Sequence, residues 1–294
     1  MKQWLCIAPL AITLTACGGD SGGSGSTGDN DDPGVVTSPT QPANLSSPDA
    51  AAAFVLAFTS FSDSAESPVQ QKAVTTEDCP TSGTQSYDDE TGVTVFDECT
   101  ASFNGTTIIV DGQQRAVCTA DDSPDVSNCD DVTNTFGDGS APLSTSTATA
   151  ESEQLIEFLG TGRFVDAETS STSTLNLQLS LDQIRPEAPE LIMITDDLVV
   201  FDEFDAGVDE TSINGGFGTN AITSCGGGFV TFETISPITT TESSDNPVSG
   251  ELNLTSDNGT SANLVFNSDG SVTITVDGDS QTYTEDDLNT ICSG

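Results

Sequence analysis

Between residues 175 and 181 the chain alternates strictly: Leu175, Leu177, Leu179 and Leu181 on one side, Asn176, Gln178 and Ser180 on the other. A period of two puts four leucines on one face of an extended strand and three polar side chains on the opposite face. Only a sheet with one buried and one wet face accommodates that pattern, so antiparallel β structure is the expectation for the chain. Shorter runs of the same kind recur. Residues 91–96 and 106–110 read as strands, with a turn at Asp88-Asp89-Glu90 before the first and a hairpin expected at Asp111-Gly112 after the second. A third strand is expected over 113–118, a long one broken or bulged at Gly160 and Gly162 over 154–165, and two short ones around Asp196-Asp197 within 191–201. Another is expected over 226–235.

The last stretch reads as a meander. Residues 250–254, 262–266, 272–276 and 281–283 are strands, separated by Asp257-Asn258-Gly259, Asn267-Ser268-Asp269-Gly270 and Asp277-Gly278. Thr284 then caps a short helix to about residue 291, with Asp287 at the capping-box position. An earlier helix is expected from Ser47-Pro48-Asp49, a capping residue, a first-turn proline and a first-turn acid, to Phe61. Phe54, Phe58 and Phe61 form one stripe along it. The predicted fold is therefore mainly β: an antiparallel curved sheet or sandwich, with an N-terminal helix and a short C-terminal helix, stapled by disulfides. A similarity between 95–112 and 265–278 is what hairpin chemistry alone produces.

The N-terminus has a different texture. Lys2 precedes an apolar run over residues 5–14, about ten residues where a bilayer span needs roughly 20. The run ends at Leu14-Thr15-Ala16-Cys17. A charged start, a short apolar run and small residues before a cysteine fit a removable export signal. These residues resemble the lipobox of bacterial lipoproteins. The resemblance implies a signal peptide over 1–16, lipidation of Cys17 with palmitate among the acyl chains, and a mature chain working outside the cytoplasm. Gly18, rather than Asp, after the cysteine is similar to the sorting signal of enteric outer-membrane lipoproteins. As a whole the chain resembles the acidic, Ser/Thr-rich envelope lipoproteins of Gram-negative bacteria, which share a location but no common activity.

Residues 17–46 read as the lipidated cysteine followed by a Gly/Ser/Asp tether, because the run GGDSGGSGSTGDNDDPG buries too little apolar surface to order itself. At ~5–6 Å × √n, such a tether holds the domain on the order of 30 Å from the membrane. Residues 47–294 are left as the β domain. Of eight cysteines, Cys6 leaves with the signal and Cys17 carries lipid. The remaining six read as a disulfide framework in an exported chain. Cys79 and Cys99 lie symmetrically about Asp89, and Cys118 and Cys129 about Ser123-Pro124, which leaves Cys225 with Cys292.

Charge and chemistry narrow the function. Loss of Lys2 leaves four basic residues against 47 acidic ones, a formal charge of −43. Nucleic-acid partners are excluded, since phosphate contacts need Lys and Arg. The chain has no histidine, which removes Ser-His-Asp and Cys-His catalysis together with the commonest metal ligand. No CxxC spacing is present for zinc or redox chemistry. Gly19-Asp20-Ser21-Gly22-Gly23 fits GxSxG but sits in the tether, without the strand, turn and helix that the motif requires. Three acidic clusters are candidates for Ca²⁺: Asp121/Asp122/Asp125, Asp202/Glu203/Asp205, and Asp277, Asp279, Asp286 and Asp287, the last set being ahead. No other cofactor is expected.

The functional expectation is a membrane-anchored envelope lipoprotein. Its β domain is non-catalytic and binds a protein or small-molecule partner or supports the surface, on the periplasmic or the exposed face. Two alternatives stand beside it. One is a lipid or lipoprotein carrier with a concave sheet closed by Phe54, Phe58 and Phe61. The other is a hydrolase built on paired carboxylates.

Overall fold

The computed structural model describes residues 39–55, 79–103, 106–149, 153–183, 191–205, 207–220, 227–241 and 244–291. Residues 48–55 form helix α1. Fourteen strands follow: β1 (Ser82–Asp88), β2 (Val93–Phe103), β3 (Thr106–Cys118), β4 (Asp131–Phe136), β5 (Leu143–Ala148), β6 (Glu153–Asp166) and β7 (Ser170–Gln183), then β8 (Leu191–Asp205), β9 (Val208–Thr219), β10 (Gly228–Thr241), β11 (Ser244–Thr255), β12 (Ser261–Phe266), β13 (Val272–Val276) and β14 (Asp279–Tyr283). Helix α2 (Glu285–Thr290) closes the chain.

All the strands belong to one sheet, and each named pairing is antiparallel between sequence neighbours, with one departure. β4 and β5 share a single lane between β3 and β6. β4 pairs with Gln114–Cys118 of β3 and β5 with Thr107–Asp111. The chain leaves that lane over residues 137–142 in a tight excursion. There the Asp138 carboxylate accepts from the backbone N–H groups of Ser140 and Ala141.

The alternation expected from the sequence sets the buried face. Leu175, Leu177 and Leu179 are buried, as are Leu252 and Leu254, Ala262 and Leu264, and Val272, Ile274 and Val276 on successive strands. One core cluster runs from Phe96 in β2 to Tyr283 in β14 and takes in Ala43, Leu45, Ala51, Ala52 and Phe54 from the N-terminal segment.

A line of bulges crosses β7 to β10. Register slips between Leu175 and Gln178, between Asp196 and Val199, and between Val230 and Ile238. Side chains replace the ladder bonds lost there. Asn176 donates to the Asp197 carboxylate at 2.9 Å and accepts from the Asp197 N–H at 2.7 Å. The Thr195 hydroxyl accepts from the Leu177 N–H, and the Thr234 hydroxyl accepts from the Ile213 N–H. Gly215 is required in this line. Its φ is 114° and a Cβ there would lie 2.2 Å from the Asp197 carbonyl oxygen. Bulges of this kind bend a sheet and increase its twist.

Several expectations need correction. Asp111-Gly112 lies inside one continuous strand, β3, opposite a bulge of β2 at Asp97-Glu98, where the Glu98 N–H donates to the Asp111 carboxylate. Gly112 supplies the positive φ that either a turn or a bulge can use. Asp196-Asp197 bulges the single strand β8 instead of dividing it. β1, β4 and β9 were not expected from the sequence, and β5 was not assigned. Residues 39–46, assigned to the tether, pack on the domain, with Ala43 and Leu45 fully buried. Phe58 and Phe61 lie outside the described residues, as do residues 1–38 with Cys17.

Candidate functional site

In a meander, successive connections alternate between the two ends of the strands. The segments around 88–92, 119–131, 166–170 and 202–210 therefore share one end, and the turns 256–260 and 277–278 share the other. The two ends are built differently.

The chain reaches the domain at the second end. The Phe229 N–H donates to the Gln41 carbonyl at 2.6 Å, and the Ala43 N–H donates to the Phe229 carbonyl at 3.1 Å. Pro42 makes a parallel bridge to Phe229, beyond the point where β11 stops pairing with β10. Residues 41–43 thus line the vacated lane through a single bridge. Asn258, in the β11–β12 turn, donates to the Ala43 carbonyl at 2.8 Å, and the Leu45 N–H donates to the Thr260 hydroxyl. Glycines make the room. A Cβ on Gly218 would lie 2.1 Å from the Pro39 oxygen, and one on Gly228 would lie 2.6 Å from the Ala43 Cα. From there the chain crosses the buried face as α1. The Ser47 hydroxyl caps that helix by accepting from the Ala50 N–H. The buried Tyr283 hydroxyl donates to the Asp49 carboxylate at 2.5 Å. Burial, then that bond, pushes the phenol well above its ordinary range.

The first end carries the acidic loop 119–130. Cys118 and Cys129 close it as a disulfide with Cα atoms 5.8 Å apart. Arg115 donates to Asp122 at 2.8 Å and to the Thr91 carbonyl at 2.9 Å, tying the loop to the β1–β2 turn. Arg163 grips Asp131 with two bonds of 2.9 and 2.7 Å. Tyr87 donates to the Pro124 carbonyl from the other side. Local hydrogen bonds lower three carboxylates at this end. Arg163, with help from Thr119, keeps Asp131 at about 2. Ser127 lowers Asp125, and the Glu90 N–H lowers Asp88. Asp202 behaves in the opposite way. It points to the buried face at the end of β8, and burial raises it despite the hydrogen bond from Thr211, with the nearby Asp209 adding to the rise.

Two of the three expected disulfides are present, Cys79–Cys99 and Cys118–Cys129. Cys225 and Cys292 lie outside the described residues. The calcium set does not converge. Asp277 and Asp279 sit at one end of β14, and Asp286 and Asp287 beyond the other. Five extended residues separate them by roughly 15 Å, where Ca²⁺ needs oxygens at about 2.3–2.6 Å. The Asp287 carboxylate is taken instead by the Thr284 N–H and hydroxyl in the capping box. Among the described residues, no group of three or more His, Cys, Asp or Glu side chains is placed to hold a metal. The described part of the predicted phenylalanine stripe, Phe54, is packed in the core. A hollow of about 210 Å³ lies under the 137–142 excursion, lined by Ser140, Pro142, Glu157, Leu159, Gln178 and Ser180, a mostly polar set.

No protein-family model matches the sequence, and no curated protein or solved structure is significantly similar to it. Among the described residues, no helix is long and apolar enough to cross a membrane.

Proposed function

We propose that this chain is a lipid-anchored protein of the bacterial envelope, acylated on Cys17, whose β domain is a non-catalytic module that holds a partner or supports the surface. The observation that carries the reading is Leu14-Thr15-Ala16-Cys17 behind a short apolar run with Lys2 at its start. Two disulfides support it, because such bonds persist in oxidising compartments outside the cytosol. The charge supports it as well: a carboxylate-coated domain stays soluble and monomeric at high concentration next to a membrane. Both described arginines are engaged in ion pairs, which leaves a surface unsuited to nucleic acid. The partner is a protein or a small molecule, and the anchored face is that of the outer membrane. Growth with radiolabelled palmitate tests the anchor. The wild-type chain incorporates label and Cys17→Ser does not; label retained on Cys17→Ser contradicts the reading.

A further inference from the structure

The two ends of the sheet differ in charge as well as in construction. The segments 88–92, 119–131, 166–170 and 202–210 hold fifteen Asp and Glu residues. The described residues at the opposite end hold five: Asp257 and Asp277 in the turns 256–260 and 277–278, Asp279 beginning β14, Glu153 beginning β6 and Asp182 near the end of β7. Arg115 and Arg163 both lie at the acidic end, each neutralising one carboxylate there. The N-terminal segment meets the domain at the other end, at Pro39 beside Gly218 and at Ala43 against Phe229 and Asn258.

We infer that the domain hangs from its membrane anchor by the end bearing the 256–260 turn and presents the acidic end away from the bilayer. This rests on the anchor at Cys17. Geometry and electrostatics act in the same direction. β8 has 15 residues, so at roughly 3.3 Å per residue the two ends are about 50 Å apart. Cys17 to Ser38 is 22 residues of mostly Gly, Ser and Asp, and a linker of that composition and length has an r.m.s. reach of only ~25 Å. The attached end therefore stays near the surface, while the far end has to swing through the length of the domain to approach it. Such an approach brings fifteen carboxylates toward anionic head groups, which repel them within a Debye length of about 8 Å at physiological salt. A partner arriving from beyond the membrane meets the acidic end first. The disulfide, the two arginine bonds and the Tyr87 contact hold the 119–130 loop in one shape there.

The test uses the lipidated full chain, reconstituted in vesicles of phosphatidylethanolamine and phosphatidylglycerol that contain an acceptor dye in the lipid. An azide-bearing residue carrying a donor dye replaces either Ser127, in the acidic loop, or Asp257, in the opposite turn. Both positions are exposed. Quenching several-fold stronger at 257 than at 127 is expected. Equal quenching at the two positions, or stronger quenching at 127, overturns the orientation while leaving the anchor standing. Loss of quenching at both positions, with the protein free of the vesicles, overturns the anchor and the orientation with it.

Discussion

The end of the sheet that receives the N-terminal segment and the end that carries the carboxylates are held by different interactions. At the first, backbone approaches backbone through glycines, and apolar side chains such as Ala43 and Leu45 are removed from water. At the second there is little apolar surface to bury and much like charge. Cross-links take over: a disulfide, two arginine–carboxylate pairs and short side-chain bonds to turn N–H groups. A highly acidic chain folds around one core only if its charge is kept off that core. Here much of it is concentrated at one end, where hydrogen bonds lower Asp88, Asp125 and Asp131 and a disulfide closes the loop.

That contrast can be broken most severely at Gly228. Its φ is 122° and its missing side chain leaves room for Ala43. Gly228→Val is expected to destabilise by about 3–5 kcal/mol through backbone strain and overpacking together, measured by urea unfolding. Gly278→Ala has a similar φ of 90° with open space around it, so it should lose only the strain part, about 1–2 kcal/mol. Opening the acidic loop comes next. Cys118→Ser combined with Cys129→Ser releases a closure of 11 residues and should cost about 3 kcal/mol. Solution NMR should place the disorder in 119–130, with β10 to β14 unchanged. Tyr283→Phe removes one buried hydroxyl bond from the clasp on α1 and should cost about 1 kcal/mol. Its effect should be indifferent to salt.

The smallest effects distinguish two carboxylates at the same end by the sign of their pH dependence. Asp131 sits at about 2, below the ordinary value of 3.8. Its contribution to stability is complete above about pH 4 and is lost as pH falls through 2. Arg163→Gln should bring the Asp131 titration up toward 3.8, as read by carboxyl-carbon NMR. Asp202 is raised above 3.8 by burial. Its contribution is complete below 3.8 and is lost as pH rises through the folded value. Asp202→Asn should therefore raise the thermal midpoint relative to wild type at neutral pH, with the gain fading near pH 3.

Much of the architecture was legible in the residues. The meander from β11 to β14 follows from period-two runs separated by Asn- and Gly-containing turns. The Thr284 capping box and two cysteine pairs are where spacing places them. The missed elements share a cause. β1 and β4 are mostly polar and β9 carries Asn214-Gly215-Gly216 and Gly218, so none shows a sustained alternation or an apolar run. Their pairing is dictated by neighbouring strands, a tertiary effect that a local pattern does not contain. Asp111-Gly112 and Asp196-Asp197, read as turn and break, lie inside continuous strands, the first opposite a bulge and the second in one, because positive φ serves both uses.

The division into two ends was hidden for the same reason. In a meander each strand reverses the chain, so one missed strand swaps the end assigned to every later loop. The docked segment 39–46 was concealed by its flanks. Ala43 and Leu45, two apart, were its one strand-like signal, set among prolines and polar residues that read as linker. The calcium set failed because nearness in sequence across a five-residue strand is not nearness in space.

The central claim is that Cys17 carries lipid and the domain below it is oxidised. Intact-mass spectrometry of the native protein from the membrane fraction tests both at once. A chain beginning at Cys17 is expected, heavier by its acyl groups and lighter by two hydrogens for each of the Cys79–Cys99 and Cys118–Cys129 bonds. A full chain from Met1, unacylated and with those four thiols reduced, would contradict it.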